Sequence, residues 1–137
     1  MVLAMLFAMA FQSGTQIRPD CAGSTPEVAA CIEVAVQKSE FRMNAYLKKA
    51  IEVSADDAKL VADLRRSQER FETYRDAECA AVLQSWSGGG TARSLYVQGC
   101  YHALNDERTH TIWSNWLQAM GDNEPDLMPE PKPTQVE

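Results

Sequence analysis

Small or apolar residues recur at steps of three and four along three stretches of the chain, which predicts three long amphipathic helices. The first stretch covers residues 26–53. Thr25 is its predicted N-cap, Pro26 suits the first helical position, and Glu27 complements the positive end of the helix dipole. The repeating positions are Val28, Ile32, Ala35, Ser39, Met43, Leu47 and Ile51.

The second predicted helix begins after the sequence SADD at residues 54–57, which resembles a capping box starting at Ser54. It is expected to end near Trp86, because the glycines at 88–90 do not sustain a helix. Its inward positions are Leu60, Leu64, Phe71, Tyr74, Glu78 and Val82, with Val61, Gln68, Arg75 and Cys79 beside them.

The third predicted helix begins at a Thr91 cap and runs to about Met120, with Gly121 as its C-cap. The connections between successive helices are short, so we expect an all-α fold, an antiparallel three-helix bundle over residues 17–120. Its repeating positions are Leu95, Tyr101, Leu104, Arg108, Ile112 and Trp116.

Residues 121–137 differ from the rest in composition. They contain four prolines and five acidic residues against Lys132, a net charge of −4, which leaves only −2 for the remainder of the −6 chain. This composition, without apolar periodicity, predicts a disordered acidic tail that folding does not need. The acidic balance also argues against a nucleic-acid partner, which usually requires a basic face.

The N-terminal segment is apolar and uncharged over residues 1–11, too short to span a bilayer as a helix. Ala8 and Ala10 form a small-x-small cleavage pattern, so residues 1–16 are a predicted signal peptide, although the usual basic start is missing. A buried N-terminal helix is the alternative. Residues 17–21 lack a lipidation pattern, so we expect no stable membrane insertion after cleavage.

Four cysteines, Cys21, Cys31, Cys79 and Cys100, predict two disulfides in a small exported chain. Counting alone leaves three connectivities open, with a metal site or unpaired thiols as alternatives. A hairpin of the second and third helices would bring Cys79 to Cys100, and the N-terminal segment could fold back to join Cys21 to Cys31.

Residues with catalytic potential form no familiar motif: there is no GxSxG, HExxH or phosphate-binding loop. His102 and His110 are two turns apart, but no third ligand joins them at metal spacing. We therefore predict no metal, no cofactor and no enzymatic activity.

Two features point to roles other than catalysis or metal binding. Gln68 and Arg75 share the inward face of the second helix, and a buried arginine needs a carboxylate, which Glu40 or Glu78 could supply. We interpret this group as a structural polar network, with a binding site as the alternative. The other feature is a set of aromatic residues, namely Trp86, Tyr96, Tyr101, Trp113 and Trp116.

The loop at residues 85–94 is the candidate partner-binding region, with Trp86 as an anchor beside the flexible Gly88, Gly89 and Gly90. The alternative is a plain turn with Trp86 packed onto the third helix.

Residues spread over all three predicted helices also form a larger pattern. It comprises Cys21, Cys31, Glu40, Met43, Asn44, Tyr46, Gln68, Phe71, Tyr74, Arg75, Asp76, Glu78, Cys79, Gly88, Gly89, Cys100, Leu104, Arg108 and Thr109. In this pattern the chain resembles the LprI-like family of lysozyme inhibitors. The match spans residues 21–117, with Phe71, Glu40, Gly90 and Asn105 standing where the family has Trp, Asp, Ser and Thr.

The resemblance implies a helical, secreted or periplasmic domain whose partner is a protein, with a lysozyme as the candidate. The predicted function is inhibition of a lysozyme-like muramidase by surface complementarity. The alternative is an envelope structural or adaptor protein without activity towards lysozyme. The sequence does not indicate an oligomeric state.

Overall fold

The computed structural model describes residues 20–136, and in this part of the chain three helices and no strand form the fold. Helix α1 spans Thr25–Val53, α2 spans Ala58–Ser85 and α3 spans Ala92–Trp116. The all-α prediction with three long helices is confirmed. The predicted signal peptide lies outside the described residues.

Helix α3 lies at the centre of the bundle and contacts both of the others. Asn105 in its middle donates a hydrogen bond to Ser39 of α1 and accepts one from Arg75 of α2. Towards the C-terminal end of α3, Arg108 reaches back to Ser67, an earlier residue of α2. Successive helices are therefore antiparallel, and α1 runs parallel to α3.

The apolar core lies between α1 and α3, in their C-terminal halves. Helix α1 contributes Met43, Tyr46 and Ala50, all almost fully buried. Ile112 and Trp113 of α3 pack against them, as does Leu117, the residue after that helix. Around this cluster lie Leu47, Phe71 and Met128. The presence of Met128 shows that a residue far beyond the helices joins the core.

Helix ends differ in detail from the prediction. The N-cap of α1 is Ser24 rather than Thr25, and both its backbone N–H and its hydroxyl donate to the Glu27 carboxylate at 2.7 Å. These hydrogen bonds lower the pKa of Glu27. The N-cap of α2 is Asp57, whose Oδ1 accepts from the Leu60 N–H at 2.9 Å, whereas Ser54 closes α1.

Helix α3 ends at Trp116, four residues earlier than predicted, and Gly121 is not its cap. The backbone carbonyl of Leu117 instead accepts a hydrogen bond from Leu127 at 2.8 Å. The chain has therefore turned back before it reaches Gly121.

Asp57→Ala should lower the free energy of unfolding by about 1 kcal/mol, because the Leu60 N–H loses its side-chain acceptor. Asp56→Ala is the matched control, since Asp56 is exposed and is not the cap. Urea denaturation of both variants measures the difference. Equal stability of the two variants would contradict the assignment of Asp57 as the cap.

Both predicted disulfide pairings are confirmed. Cys79 and Cys100 join α2 to α3 with their Cα atoms 5.7 Å apart. Cys21 and Cys31 lie 5.8 Å apart between Cα atoms and tie the segment before α1 to that helix. Among the described residues, no cysteine is free.

The prediction of a disordered C-terminal tail is wrong. After α3 the chain reverses and runs back along the groove between α1 and α3, without regular secondary structure. Tyr46 and Trp113 donate hydrogen bonds to the carbonyls of Pro129 and Met128, at 2.7 and 2.9 Å. Near the end of the tail, Thr134 is buried. The prolines prevent regular structure, but they leave the carbonyls free to accept hydrogen bonds from the helices.

Within residues 20–136, none of the three helices is long and apolar enough to cross a bilayer.

Candidate functional site

The loop between α2 and α3 carries a stacked aromatic pair. The rings of Trp86 and Tyr96 lie with their centroids 3.7 Å apart and their planes only 9° from parallel. Trp86 is the residue directly after α2, and Tyr96 lies in the second turn of α3. The packing of Trp86 onto the third helix, the feature of the plain-turn alternative, is therefore present.

Both rings of this pair nevertheless face solvent in part. Trp86 is 38% exposed and Tyr96 40%, and the neighbouring Leu83 is exposed to a similar extent. Stacking fixes the rings before any partner arrives, so little side-chain entropy is left to lose on binding. Exposed, preordered aromatic rings are typical anchors of protein interfaces.

The backbone of the loop is held on several sides. The Gly89 N–H donates to the Trp86 carbonyl at 2.8 Å, and a Cβ atom at Gly89 would crowd the Trp86 ring at 3.2 Å. Gly90 has φ +57°, the left-handed region that favours glycine. Arg93 Nε donates to the Leu83 carbonyl at 3.1 Å, bridging the two helix ends. The glycines thus give a compact, braced turn.

Arg75 is the centre of the polar group predicted on α2. Its side chain is only 10% exposed, and Nη1 donates to Asn105 Oδ1 at 2.9 Å. Glu40 Oε1 lies 3.6 Å from the same nitrogen, which confirms one of the two predicted carboxylate partners. The neighbouring Asp76 accepts from Nε at 3.2 Å. Glu78, the other candidate, is exposed and forms no ion pair among residues 20–136.

Two aromatic rings enclose the Arg75 guanidinium. Its Cζ lies 5.3 Å from the Tyr101 ring centroid and 5.9 Å from that of Phe71. Both distances are in the range of cation–π contacts. Arg75 thus connects its own helix to α3 through the buried Asn105 and to α1 through the half-exposed Glu40.

A second arginine extends this network along α3. Arg108 Nε donates to Gln68 Oε1 at 3.1 Å, and its Nη2 donates to Ser67 at 3.0 Å. Burial lowers the pKa of the Arg108 guanidinium, which also lies 5.5 Å from the centre of the Phe71 ring. The amide of Gln68 reaches Glu72 and the sulfur of Met43 on α1.

The remaining motif residues divide between interior and surface. Thr109 is fully buried, and its hydroxyl donates to the Asn105 carbonyl at 2.8 Å. Asn44 and Tyr74 are exposed, Tyr74 to 53%. The motif thus includes both bundle-forming and solvent-facing positions.

The two histidines occupy different environments. His102 is 2% exposed, and its Nε2 lies 3.4 Å from Asp106 Oδ2. His110 lies near the surface, 3.4 Å from the Glu130 carboxylate. In the part of the chain that the structure describes, no group of three or more candidate ligands could hold a metal ion.

Sequence reasoning predicted no contact for two polar residues of α3 that the structure places at important positions. Asn105 forms the principal hydrogen bond with Arg75, and Asp106 binds the tail through Thr134. Helical periodicity offered a signal for Asn105, because it is four residues from both Tyr101 and Thr109. For Asp106 the only nearby partner in the sequence is His102, one helical turn earlier, and the other two partners lie 64 and 28 residues away.

Comparisons with known proteins bear on this arrangement. A family described as lysozyme inhibitor LprI matches residues 19–112, which include α1, α2, both disulfides and most of α3. No curated protein and no solved structure matches the chain significantly. Because the matched region covers well over half of the 137 residues, the chain belongs to the lysozyme inhibitor LprI family.

Proposed function

We propose that this chain is an exported inhibitor that binds a lysozyme-type muramidase and blocks its substrate cleft. Membership of a lysozyme inhibitor family is the observation that carries the proposal. Inhibition by contact needs no catalytic group in the inhibitor. It needs a surface that complements the enzyme and excludes the polysaccharide substrate.

The loop at residues 85–94 is the proposed contact region. An enzyme cleft is concave, and a loop at the end of a bundle protrudes, whereas the helical faces are broad and convex. Trp86 and Tyr96 offer apolar area in a fixed orientation, supported by the disulfide between Cys79 and Cys100. Preordering of this kind lowers the entropy that the complex loses on forming.

Export is part of the proposal because the target would lie outside the cytoplasm. The two disulfides support it, since such bonds form and persist in oxidising compartments such as the periplasm.

The test is a titration of muramidase activity, followed as clearance of a bacterial cell-wall suspension, against the wild-type chain and Trp86→Ala. Wild type should inhibit hen lysozyme or a bacterial muramidase. Loss of an interface anchor of about 2 kcal/mol should raise the inhibition constant of Trp86→Ala roughly 30-fold.

Trp116→Ala is the matched control, because Trp116 is 37% exposed, nearly as much as Trp86, but lies at the other end of α3. It should inhibit like wild type. Equal inhibition by all three proteins would leave the function intact and move the contact away from the loop. No inhibition by wild type would contradict the proposal and favour an adaptor role in the envelope.

A further inference from the structure

The groove between α1 and α3 that holds the tail has an unusual distribution of hydrogen-bonding groups. We define the tail groove by the five helix residues that hydrogen-bond to the backbone of the tail: Arg42, Tyr46, His102, Asp106 and Trp113. Four of them face backbone carbonyls of the tail. Only Asp106 presents an acceptor.

The carbonyl contacts follow the tail over seven residues. Trp113 Nε1 donates to the Met128 carbonyl, Tyr46 to that of Pro129, and Arg42 Nη1 to that of Lys132. Burial raises the pKa of the Tyr46 phenol, so the hydroxyl keeps its proton. At the far end, His102 Nε2 lies 3.2 Å from the Thr134 carbonyl.

Asp106, the groove residue that accepts hydrogen bonds, contacts Thr134, the tail residue that donates them. Asp106 Oδ2 accepts from the Thr134 N–H and Oδ1 from the Thr134 hydroxyl, both at 2.7 Å. Arg42 Nη2 holds the same carboxylate at 2.7 Å. Since Thr134 is buried, this contact fixes the position of the segment along the groove.

The tail sequence matches a groove that mainly donates hydrogen bonds. Pro129, Pro131 and Pro133 have no N–H, so the carbonyls are the backbone groups that the groove must satisfy. Each residue before a proline is restricted to extended conformations, so the segment is largely ordered before it docks. Aromatic grooves that donate hydrogen bonds to the carbonyls of such segments are a recurring mode of peptide recognition.

We propose that the tail groove is a binding site for proline-rich segments of other proteins, which the tail of this chain occupies and thereby closes. The groove belongs to the family domain, because four of its five residues lie within positions 19–112, whereas the whole tail lies beyond them. The tail also leaves an open cleft of about 450 Å³ beside it, bordered by Glu107, His110 and Pro131. A segment with larger side chains than those of the tail would have this additional volume to fill.

The test uses the full chain and a fluorescently labelled synthetic peptide of residues 126–136, with binding followed by fluorescence anisotropy. Wild type should bind weakly, because its own tail competes. In Thr134→Ala the tail loses one hydrogen bond of about 1 kcal/mol, so the groove should be open more often and bind the peptide about fivefold more tightly. Thr73→Ala, an exposed residue of α2, is the control and should bind like wild type.

Two altered peptides test the chemistry of the ligand against the Thr134→Ala chain. A peptide in which alanine replaces the three prolines at 129, 131 and 133 should bind about tenfold or more weakly, because it is less ordered before binding. A peptide with alanine at position 134 should lose about fivefold.

Three results would overturn the proposal. The first is no saturable binding to Thr134→Ala while its helical circular dichroism spectrum is intact. The second is equal binding of the peptide without prolines, which would remove proline as the recognised feature. The third is a concentration-dependent dimer in the absence of peptide, because the occupant would then be the tail of a second copy. The outcome does not depend on muramidase inhibition, which is measured separately.

Discussion

Arg75→Ala is expected to lower the free energy of unfolding by roughly 3 kcal/mol, the largest effect of any single substitution considered. Most of the loss comes from Asn105, which is fully buried and would keep an amide oxygen without its donor. Contacts with the rings of Phe71 and Tyr101 add about 0.5–1 kcal/mol each. For a domain of about 100 residues, the melting temperature should fall by roughly 10–20 °C.

The two carboxylates near Arg75 contribute little to this estimate. The side chains of Glu40 and Asp76 are 50% and 59% exposed, so water solvates them when the arginine is removed. The sequence predicted a carboxylate partner for Arg75, whereas in the structure the group that its removal leaves unpaired in the interior is the Asn105 amide. Arg75→Lys should therefore recover little, because lysine keeps the charge but loses the planar group that Asn105 and the rings contact.

Arg70→Ala is the control on the same helix, since Arg70 is exposed and its removal should change stability by less than about 0.5 kcal/mol. Thermal melts followed by circular dichroism compare the variants. Activity assays at 25 °C add a second measurement. If Arg75→Ala melts like wild type but loses its partner, the residue is a binding contact and its structural interpretation is wrong.

Local patterns were sufficient to predict the helices and the disulfides. Periodicity located α1 and α2 to within a few residues because each helix buries one face over seven turns or more. The pairing of Cys79 with Cys100 followed from the antiparallel hairpin alone. Errors lay at helix ends, where Ser54 and Asp57 competed as caps within four residues, and on the predicted repeating faces, where Tyr74, Glu78 and Trp116 are exposed.

The tail groove could not be predicted in the same way. Its donors come from Arg42 and Tyr46 on one helix and from Trp113 on another, and only the folded bundle places them in line. Composition predicted disorder for the tail because proline and acidic residues form no regular element and bury little apolar surface by themselves. That argument holds for an isolated segment. It does not include a preformed surface that satisfies the carbonyls.

Removing residues 121–137 should lower the free energy of unfolding by roughly 3–4 kcal/mol, since several hydrogen bonds of about 1 kcal/mol each and buried apolar area disappear together. Met128 would no longer cover the core cluster, and Trp113 would lose the acceptor of its indole N–H. Asp106 would keep Arg42 but lose both donors of Thr134. Urea denaturation measures the change in free energy, and its m-value should also fall because less surface is buried.

Single substitutions in the tail test whether its contacts with the helices account for the lost stability. Thr134→Ala removes one of the hydrogen bonds to Asp106 and should cost about 1 kcal/mol, a fraction of the truncation. Gln135→Ala changes an exposed neighbour and should be neutral within about 0.5 kcal/mol. In hydrogen exchange, the Thr134 amide should be protected, because Asp106 accepts its proton at 2.7 Å. A truncated chain that unfolds like wild type, together with rapid exchange of the Thr134 amide in the full chain, would return the tail to the disorder that its composition predicts.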